Sequence, residues 1–366
     1  MNVALVLNSG SSSLKFAAFN MAASDMRVIV TGQVDPANAD AAFAEIDAEL
    51  RRAGAGPPIA VGHRIVHGGP RLLKHCLIDE AMMGELKAAE PFAPLHVPAS
   101  LALIAMATAR YAACPQVACF DTAFHAAMPD IARTLPIPRA LREEGVHRYG
   151  FHGLSCESIV HQLGADLPAR LIIAHLGNGC SVTAVRSGRS IDTSMGLTPT
   201  GGTIMSTRTG DLDPGVLLHL MRVHGCDADG LETIVDKQSG MLGISGLSGD
   251  MRDLHRVAAN GDADLAVAMF CRSVAKQIGA MMTALGGADM IVFTGGIGEH
   301  DPIVRQRICA DLAWAGVADS PSSRSAFAVT TLPSAEEAQI ARHMGAILAA
   351  SRGGLEDARG LSQARC

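Results

Sequence analysis

Two stretches of the chain share one plan: LVLNSGSSSLKFAAFN at residues 5–20 and IIAHLGNGCSVTAVRS at residues 172–187. Each holds an apolar run of strand-forming residues, one polar residue, a turn of Gly, Asn or Ser, and a second apolar run. A hairpin with a polar tip would explain either stretch alone. Two copies of the same unit predict two domains of similar build.

The length and composition of the chain support this division. At 366 residues and 38.0 kDa the chain exceeds what one hydrophobic core usually serves, so we expect two domains. Hydrophobic residues make up 48% and charged residues 18%, which is typical of a soluble folded enzyme. The net charge of −6 gives no basic surface, so we expect no nucleic-acid partner.

Cysteine usage and hydropathy predict a cytoplasmic protein with no membrane partner. The nine cysteines form no CxxC pair, which indicates reduced thiols rather than a disulfide framework. The first apolar run has no positively charged leader and is interrupted at Asn8, so we predict no signal peptide. The apolar stretch 266–293 contains Arg272, Lys276 and Gln277 and is predicted to be a packed helix followed by a strand.

Local patterns predict an α/β architecture. Predicted strands cover residues 3–7, 14–19, 28–33, 59–69 and 117–125. Predicted helices cover residues 39–54, 79–89, 98–112, 261–287 and 335–351. The stretch MIVFTGGIGEH at residues 290–300 is predicted to be a strand followed by a glycine turn.

Three polar turns rich in small residues follow predicted strands: NSGSSSLK at 8–15, HLGNGCS at 175–181 and TGGIGEH at 294–300. The chain contains no Walker A sequence GxxxxGK[ST], and no GxGxxG follows the first strand. Backbone N–H groups and serine hydroxyls in such turns can still hold phosphate oxygens in a concave nest. The three turns together favour phosphate binding over plain hairpin tips.

The segment 192–214 is long and rich in Gly, Thr, Ser and Met, which is typical of a functional loop. Arg208 lies among small residues of this loop, so its guanidinium can bind an anion through two parallel hydrogen bonds. The alternative is that Arg208 ties the loop down through backbone carbonyl groups. Asp211 and Asp213 are either metal ligands or turn-forming residues.

The chain has four histidine-containing motifs, but it lacks the signature motifs of two enzyme classes. The motifs are GHRIVHGG, APLHVP, YGFHG and AHLGNG. No HExxH sequence is present, which argues against a zinc enzyme, and no GxSxG is present, which argues against a serine hydrolase. Arg64 follows His63 and precedes an apolar pair, which is more typical of an anion-binding residue than of a surface charge.

Nine motifs taken together resemble the acetate kinase family. In chain order they are NSGSSSLKF, GHRIVHGG, PFAPLH, FDTAFH, RYGFHG, HLGNG, DTSMGLTP, TRTGDLDP and FTGGIGE. The resemblance implies the α/β superfold of actin, hexokinase and the heat-shock-chaperone ATPases. In it, two duplicated βββαβα domains of RNase H-like type have the active site in the cleft between them. It implies an N-terminal domain at residues 1–122 plus 337–366, closed by the C-terminal helix. The second domain, at residues 123–336, would bind the nucleotide and dimerise.

The resemblance also implies roles for individual residues. The catalytic residues would be Arg64, Asp121, His152 and Arg208. The acyl substrate would contact Arg64, Val66, Leu95, His96, Phe151 and Pro199. The nucleotide would be held by Ser11, Ser13, Lys15, His175, Leu176, Gly177, Asn178, Gly179, Asp250, Met251, Arg252, Gly296, Ile297, Gly298, Glu299 and His300. The metal ligands would be Asn8 and Glu336.

The implied reaction is reversible transfer of a phosphoryl group between ATP and acetate, which gives acetyl phosphate and ADP. The transfer would be direct and in line, with Mg²⁺ as the cofactor and Mn²⁺ as a substitute. Because a carboxylate is already ionised at neutral pH, Asp121 is expected to orient an arginine or a metal-bound water rather than remove a proton. A cytoplasmic homodimer is also implied.

Several positions depart from the family's usual pattern and leave two alternatives open. Val97 stands where asparagine is common, Thr200 and Gly201 replace a Leu-Glu pair, Ser206 replaces glycine, and His300 replaces asparagine. A propionate or butyrate kinase would share every motif and differ in pocket volume. An ATP-dependent chaperone or filament protein would share the fold, but it has no need for arginines and a histidine beside a small apolar pocket.

Overall fold

The computed structural model describes residues 2–9, 14–21, 26–35, 38–94, 96–257, 261–317 and 327–363, with the side chains of 39 and 352–363 left aside. The chain divides into two compact units. Unit 1 consists of Met1–Ala123 with Ala335–Cys366, and unit 2 is Phe124–Ser334.

Strands and helices alternate in both units. The strands are β1 (Val3–Ser9), β2 (Leu14–Asn20), β3 (Arg27–Val34), β4 (Ala60–Ile65), β5 (Cys76–Leu77), β6 (Gln116–Phe120), β7 (Arg170–Leu176), β8 (Cys180–Arg186), β9 (Arg189–Thr193), β10 (Met290–Thr294) and β11 (Ala328–Thr331). The helices are α1 (Ala39–Arg52), α2 (Glu80–Ala88), α3 (Val97–Arg110), α4 (Asp130–Arg133), α5 (Arg139–Glu143), α6 (Gly153–Leu163), α7 (Pro214–His224), α8 (Ala228–Lys237), α9 (Gly240–Ser245), α10 (Met251–Arg256), α11 (Gly261–Leu285), α12 (Gly295–His300), α13 (Pro302–Asp311) and α14 (Glu336–Gln363).

The two sheets share five equivalent strands, as the repeat in the sequence predicts. The sheet of unit 1 has the order β3-β2-β1-β4-β6-β5, and the sheet of unit 2 has the order β11-β10-β7-β8-β9. In each unit the first three strands form an antiparallel meander, and two later strands, β4 and β6 or β10 and β11, add in parallel beside the first strand. Unit 1 has one more strand, β5, which pairs antiparallel with β6 at the edge. Both meanders also have an irregularity between their second and third strands. The duplicated α/β fold is therefore confirmed.

Unit 1 buries its central strand on both faces, which explains the unbroken apolar run at the start of the chain. Leu5 and Leu7 pack with Phe16 of β2 and Ile46 of α1 in one apolar cluster. Each such side chain contributes about 1.5–3 kcal/mol when fully buried. On β4, Gly62 lets α14 approach closely, since a Cβ there would lie 2.3 Å from the sulfur of Met344.

Unit 2 is built around the long helix α11, which the sequence predicts at residues 261–287. Among the described residues, α11 alone is long and apolar enough to cross a membrane, but half of its most apolar window is buried inside the protein. Its side chains at spacings of four residues, such as Phe270, Val274 and Ile278, face the interior. These features identify α11 as a core helix, not a membrane span.

Three predicted elements differ from the structure. The strand predicted at 59–69 ends at Ile65, before the glycine pair, and the strand predicted at 117–125 ends at Phe120. The glycine turn predicted within TGGIGEH is wrong, because Gly295–His300 form a short helix. Gly295 has a φ of +79°, so the chain turns sharply at the end of β10 and enters the helix directly.

Candidate functional site

Unit 1 brings three sequence-predicted residues together at the carboxyl ends of its parallel strands. Asn8 is near the end of β1, Arg64 near the end of β4, and Asp121 directly after β6. Arg64 pairs with Cys119 across the β4–β6 ladder, two residues before Asp121. Residues two apart on a strand share a face, so the register places these side chains on the same side of the sheet. Ligand sites in open α/β sheets form at this edge.

Arg64 is the centre of this cluster. Its Nε and Nη2 donate to one oxygen of Asp121 at 2.9 and 2.5 Å, and its Nη1 donates to Oδ1 of Asn8 at 3.2 Å. Asp121 is fully buried. Burial by itself lowers the pKa of Arg64, but attraction to Asp121 and then to Glu336 outweighs it and raises the pKa above its ordinary value. Arg64 is therefore a permanently charged and firmly oriented guanidinium.

The beginning of α14 adds two carboxylates to the same cluster. Nδ2 of Asn8 donates to Oε2 of Glu336 at 3.2 Å and to Oε1 of Glu337 at 2.9 Å. Oε2 of Glu336 also lies 3.6 Å from Nε of Arg64. Together with Asp121, these groups form three carboxylates against one guanidinium. Such an excess of acidic oxygen donors fits a hard divalent cation, and Mg²⁺ prefers oxygen ligands.

The remaining predicted residues of unit 1 lie around this cluster or outside the described residues. Lys15 is exposed on β2 and pairs with Asn8, so the two side chains share a face of the sheet. Val66 directly follows β4, and His96 directly precedes α3; both are partly buried. The predictions for Ser11, Ser13 and Leu95 fall on residues that the structure leaves undescribed.

Unit 2 holds a second cluster, which centres on two stacked histidines. The rings of His152 and His175 lie 4.1 Å apart at an angle of 18°. Nδ1 of His152 hydrogen-bonds to the hydroxyl of Ser181 at 3.0 Å, and Nδ1 of His175 to that of Ser155 at 2.8 Å. These bonds fix both rings in place. His152 also has a φ of +57°, a conformation that a non-glycine residue adopts only when its surroundings hold it there.

The glycine turn after β7 lies against this histidine pair and Arg208. A Cβ built on Gly179 would lie 3.2 Å from Nη1 of Arg208 and 3.2 Å from Nε2 of His152. The absence of a side chain at Gly179 therefore lets a guanidinium and an imidazole both approach the backbone of this turn closely. The turn itself is closed by Gly177 N–H, which donates to the carbonyl of Gly179 at 3.1 Å.

The long loop holds Arg208 through a backbone carbonyl, as one of the two sequence interpretations describes, while its role in anion binding stays a prediction. Nη1 of Arg208 donates to the carbonyl of Pro199 at 3.1 Å, so the arginine does tie the loop to a backbone carbonyl. It also faces the Gly179 turn, as the anion-binding interpretation requires. Asp211 accepts from the N–H of Gly202, and Asp213 accepts from the N–H of Gly215, so both carboxylates have the turn-forming role.

A buried thiol beside this turn is not a nucleophile. Burial raises the pKa of Cys180 to about 12, and neighbouring Arg208 offsets this only in part. The thiol therefore stays protonated at neutral pH. It donates to the carbonyl of Gly177 at 3.2 Å.

Two further predicted segments, which the resemblance assigns to adenosine, are linked to each other within unit 2. Nε2 of His255 in α10 lies 2.8 Å from Oδ2 of Asp301, which follows α12. In the first segment Asp250 caps α10 and pairs with the exposed Arg252, while Met251 is 3% exposed. The second segment consists of the α12 residues Gly296, Ile297, Gly298, Glu299 and His300.

Glu299 of α12 has a structural role in the described chain. One of its carboxylate oxygens accepts from the N–H of Gly295 and from that of Ser334. This bond pattern ties the end of β10 to the segment after β11. A direct role of Glu299 in nucleotide binding stays a prediction.

Several residues that shape these clusters escape the sequence analysis. Ser155 and Ser181 orient the histidine rings, and Glu337 shares Asn8 with Glu336. Arg148 donates through Nη1 to the carbonyls of three successive residues, Thr193, Ser194 and Met195, and so holds the start of the long loop. The signals were present as the second glutamate of an EE pair and the arginine of RYGFHG, but neither motif shows which partner its side chain reaches.

Comparison with known proteins identifies the family. A model described as the acetokinase family matches residues 57–342. The acetate kinase of Clavibacter michiganensis is 39% identical over an alignment of 394 positions, gaps included. The alignment covers 93% of this chain and 98% of that protein. A propionate kinase structure from Francisella tularensis superimposes with a TM-score of 0.84 at 34% identity and covers 94% of this chain and 99% of its own. An acetate kinase structure from Porphyromonas gingivalis gives 0.81 at 32%, with 95% and 100% covered.

The duplicated sheets, together with these matches, define a two-domain kinase of the RNase H-like type. The chain belongs to the acetokinase family.

Proposed function

We propose that the protein transfers a phosphoryl group reversibly between ATP and acetate, directly and in line, with acetyl phosphate and ADP as products. The observation that carries this proposal is the close approach of Nη1 of Arg208 and Nε2 of His152 to the Gly179 turn, where a Cβ would lie 3.2 Å from each. Two cation-forming groups beside a glycine turn suit the charge that develops on a phosphoryl group in transfer.

The chemistry requires charge neutralisation, not proton removal. Acetate is ionised at neutral pH and is already a nucleophile, but it must approach a polyanionic triphosphate. Arg64, Arg208, His152 and Lys15 are the groups on this chain that we assign to offset that repulsion. Positioning and electrostatic stabilisation then account for the rate, as in phosphoryl transfer generally.

Asp121 is assigned an orienting role. Both of its observed bonds to Arg64 run to the same carboxylate oxygen, which fixes the plane of the guanidinium. The proposed reaction needs no proton removal, because acetate is the nucleophile and is already ionised. The unit 1 cluster therefore presents a fixed cation rather than a base.

We assign the metal to the acidic side of the same cluster. Glu336 would hold Mg²⁺ (or Mn²⁺), with Asn8 beside it and Glu337 as a further oxygen donor. When bound, the ion neutralises phosphate charge. Asn8 contributes by joining both glutamates to Arg64, so that the acidic and basic sides of the cluster keep a fixed spacing.

The acyl pocket would be apolar and small. The resemblance to the family assigns the acyl group to Val66, Leu95, Phe151 and Pro199, and Phe151 is almost completely buried. A propionate kinase is the second candidate, because the propionate kinase structure from Francisella tularensis superimposes with a TM-score of 0.84. One methylene in such a pocket gives only about 1–3 kcal/mol of discrimination, so both acids would react at different rates.

A homodimer through unit 2 is also proposed. Helix α7 has no buried residue, and it exposes Leu218, Met221 and Val223 by 48%, 48% and 63%. Leu218 and Met221 lie three residues apart and so share one face of the helix, and exposed apolar residues on one face are typical of a protein-protein contact. Sedimentation of a Leu218→Asp, Met221→Asp variant would give a monomer if α7 forms the contact, and an unchanged dimer would refute it.

The substrate spectrum tests the proposed reaction. Purified protein is incubated with ATP, Mg²⁺ and formate, acetate, propionate or butyrate, and ADP release is measured together with acyl phosphate trapped by hydroxylamine. We expect equal amounts of both products, with the highest kcat/KM for acetate. A preference for propionate or butyrate would move the assignment to the longer-chain kinases, and ADP release without trapped acyl phosphate would refute acyl transfer altogether.

A further inference from the structure

The end of helix α8 contacts the long loop at two separate points through one residue. Oδ1 of Asp236 accepts a hydrogen bond from the hydroxyl of Thr200. The backbone carbonyl of Asp236 accepts from the hydroxyl of Thr207 at 2.7 Å. Asp236 therefore joins two parts of the loop that lie on either side of its middle.

The backbone on both sides of Arg208 is bonded to the same helix end. The N–H of Thr209 donates to the carbonyl of Val235 at 3.0 Å, and the N–H of Ser239 donates to the carbonyl of Thr207 at 3.0 Å. The two neighbours of Arg208 in sequence are thus both anchored. The backbone around Arg208 is therefore held by the end of α8 and the residue that precedes α9, together with a bond from the N–H of Met205 to the carbonyl of Arg208.

The far end of the arginine side chain depends on the same residue. Nη1 of Arg208 donates to the carbonyl of Pro199, and Pro199 directly precedes Thr200. The bond from Thr200 to Asp236 therefore restrains the carbonyl that orients the guanidinium. Gly201 and Gly202 follow immediately, and glycines leave a loop free to move unless contacts restrain it.

We propose that Thr200 and Asp236 are positioning residues for Arg208, which hold its guanidinium in register with the Gly179 turn. The proposal deepens the function proposed above and rests on it. Neither residue is assigned a contact with acetate or nucleotide. Their effect passes through the carbonyl of Pro199 and through the backbone of the loop. A small misplacement of a catalytic group can lower the rate strongly, so these bonds matter for turnover.

The test uses a matched pair at one position. Thr200→Val removes the hydroxyl and keeps the shape, whereas Thr200→Ser keeps the hydroxyl. We expect Thr200→Val to lower kcat/KM for acetate by about threefold to tenfold, as loss of one hydrogen bond to a carboxylate would. Thr200→Ser should retain the activity of the parent protein, and the KM for ATP should change in neither variant. Asp236→Asn, which keeps an accepting oxygen, should resemble Thr200→Ser, while Asp229→Ala on the exposed start of α8 is the control.

A double variant separates positioning from simple stabilisation. If Thr200 acts through Arg208, Thr200→Val should have no further effect on kcat/KM in an Arg208→Ala background. Unchanged kcat/KM in Thr200→Val alone would overturn the proposal, as would an equal loss in the Arg208→Ala background. The parent protein is assayed first. A parent that does not phosphorylate acetate refutes the proposed function, whereas an active parent with an unaffected Thr200→Val variant refutes this inference only.

Discussion

The two sheets share five equivalent strands but differ in what their strand ends carry. Asn8 and His175 are each the sixth residue of a seven-residue strand, and Lys15 and Ser181 are each the second residue of the strand that follows. Arg64 and Thr294 are each the fifth residue of the parallel strand beside them. At equivalent positions unit 1 has amide, ammonium and guanidinium groups, and unit 2 has imidazole and hydroxyl groups.

This difference shows how one duplicated scaffold can take on two tasks. Unit 1 places its guanidinium on a strand, where a buried carboxylate at 2.5–2.9 Å orients it. Unit 2 places Arg208 on a loop, against the Gly179 turn. A residue on a strand is held by the sheet, but a residue on a loop needs contacts of its own. The bonds from the loop to α8 supply them in the described chain.

Removal of the loop arginine should have the largest effect. Arg208→Ala removes a full positive charge from the Gly179 turn, and loss of one preorganised donor alone lowers kcat by roughly 10²–10³-fold. Steady-state kinetics with acetate, alongside circular dichroism and a melting curve to show an intact fold, measures this. Near-normal kcat in a folded Arg208→Ala protein would show that unit 2 does not contribute its arginine to the reaction.

Replacement of Asp121, the carboxylate that orients Arg64, should have the next largest effect on kcat. Asp121→Asn keeps the size of the side chain but loses the charge that orients Arg64, so we expect kcat to fall by about 10²-fold. The pH profile of the parent kcat/KM should show no ionisation that belongs to Asp121, since the reaction needs no base. A single pKa in the parent profile that disappears in Asp121→Asn would assign Asp121 as a general base instead.

The buried histidines His63 of unit 1 and His125 of unit 2 predict how the stability of the fold depends on pH. Burial lowers the pKa of both His63 and His125 from 6.5 to about 4, although bonds to Gln116 and to the carbonyl of Phe151 partly oppose it. The unfolded chain therefore binds more protons than the folded chain between pH 4 and pH 6.5, so stability falls as the pH drops through this window. Each histidine should remove about 2 kcal/mol between pH 7 and pH 5.

Chemical unfolding at pH 7 and pH 5 checks this expectation. Replacing His63 or His125 by Gln should lower stability at pH 7 but flatten the pH dependence. A parent protein that is equally stable at the two pH values would show that neither histidine is held neutral.

A substitution in the proposed acyl pocket should have the smallest effect on the kinetics. Val66→Ala removes two methyl groups from a proposed wall and should shift the ratio of kcat/KM values from acetate towards propionate by up to about tenfold. The KM for ATP should stay constant, because the change concerns the acid alone. An unaltered acetate-to-propionate ratio would remove Val66 from the pocket.

Features that depend on residues close together in the sequence could be predicted from the sequence, whereas contacts between distant residues could not. Strand periodicity and the repeated turn are local, so the duplication, the core strands and the positions of Asn8, Arg64 and His175 follow from short segments. The partners of these residues are not local. Ser181 is 29 residues from His152, and Glu336 is 328 residues from Asn8. The sequence of one segment does not indicate which distant residue its side chain contacts. The pairing of each serine with a histidine ring can therefore be known only from the folded structure.

The short helix after β10 illustrates a different limit. Gly-Gly-Ile-Gly resembles a flexible turn, because glycine disfavours helix by about 1 kcal/mol relative to alanine. In the folded protein one carboxylate oxygen of Glu299 accepts from the N–H of Gly295 at the start of this helix and from the N–H of Ser334, which is distant in sequence. A local bond and a long-range bond together thus stabilise a conformation that propensity alone assigns wrongly.

A double-variant cycle between the two arginines tests the proposed function most directly, because that proposal assigns Arg64 and Arg208 to the same phosphoryl transfer. The values of kcat/KM for acetate are measured for Arg64→Ala, Arg208→Ala and the double variant. Residues that serve the same transition state are strongly non-additive. We therefore predict that kcat/KM of the double variant is only slightly lower than kcat/KM of the less active single variant. Losses that multiply to the full product, or a single variant with parental activity, would contradict the account.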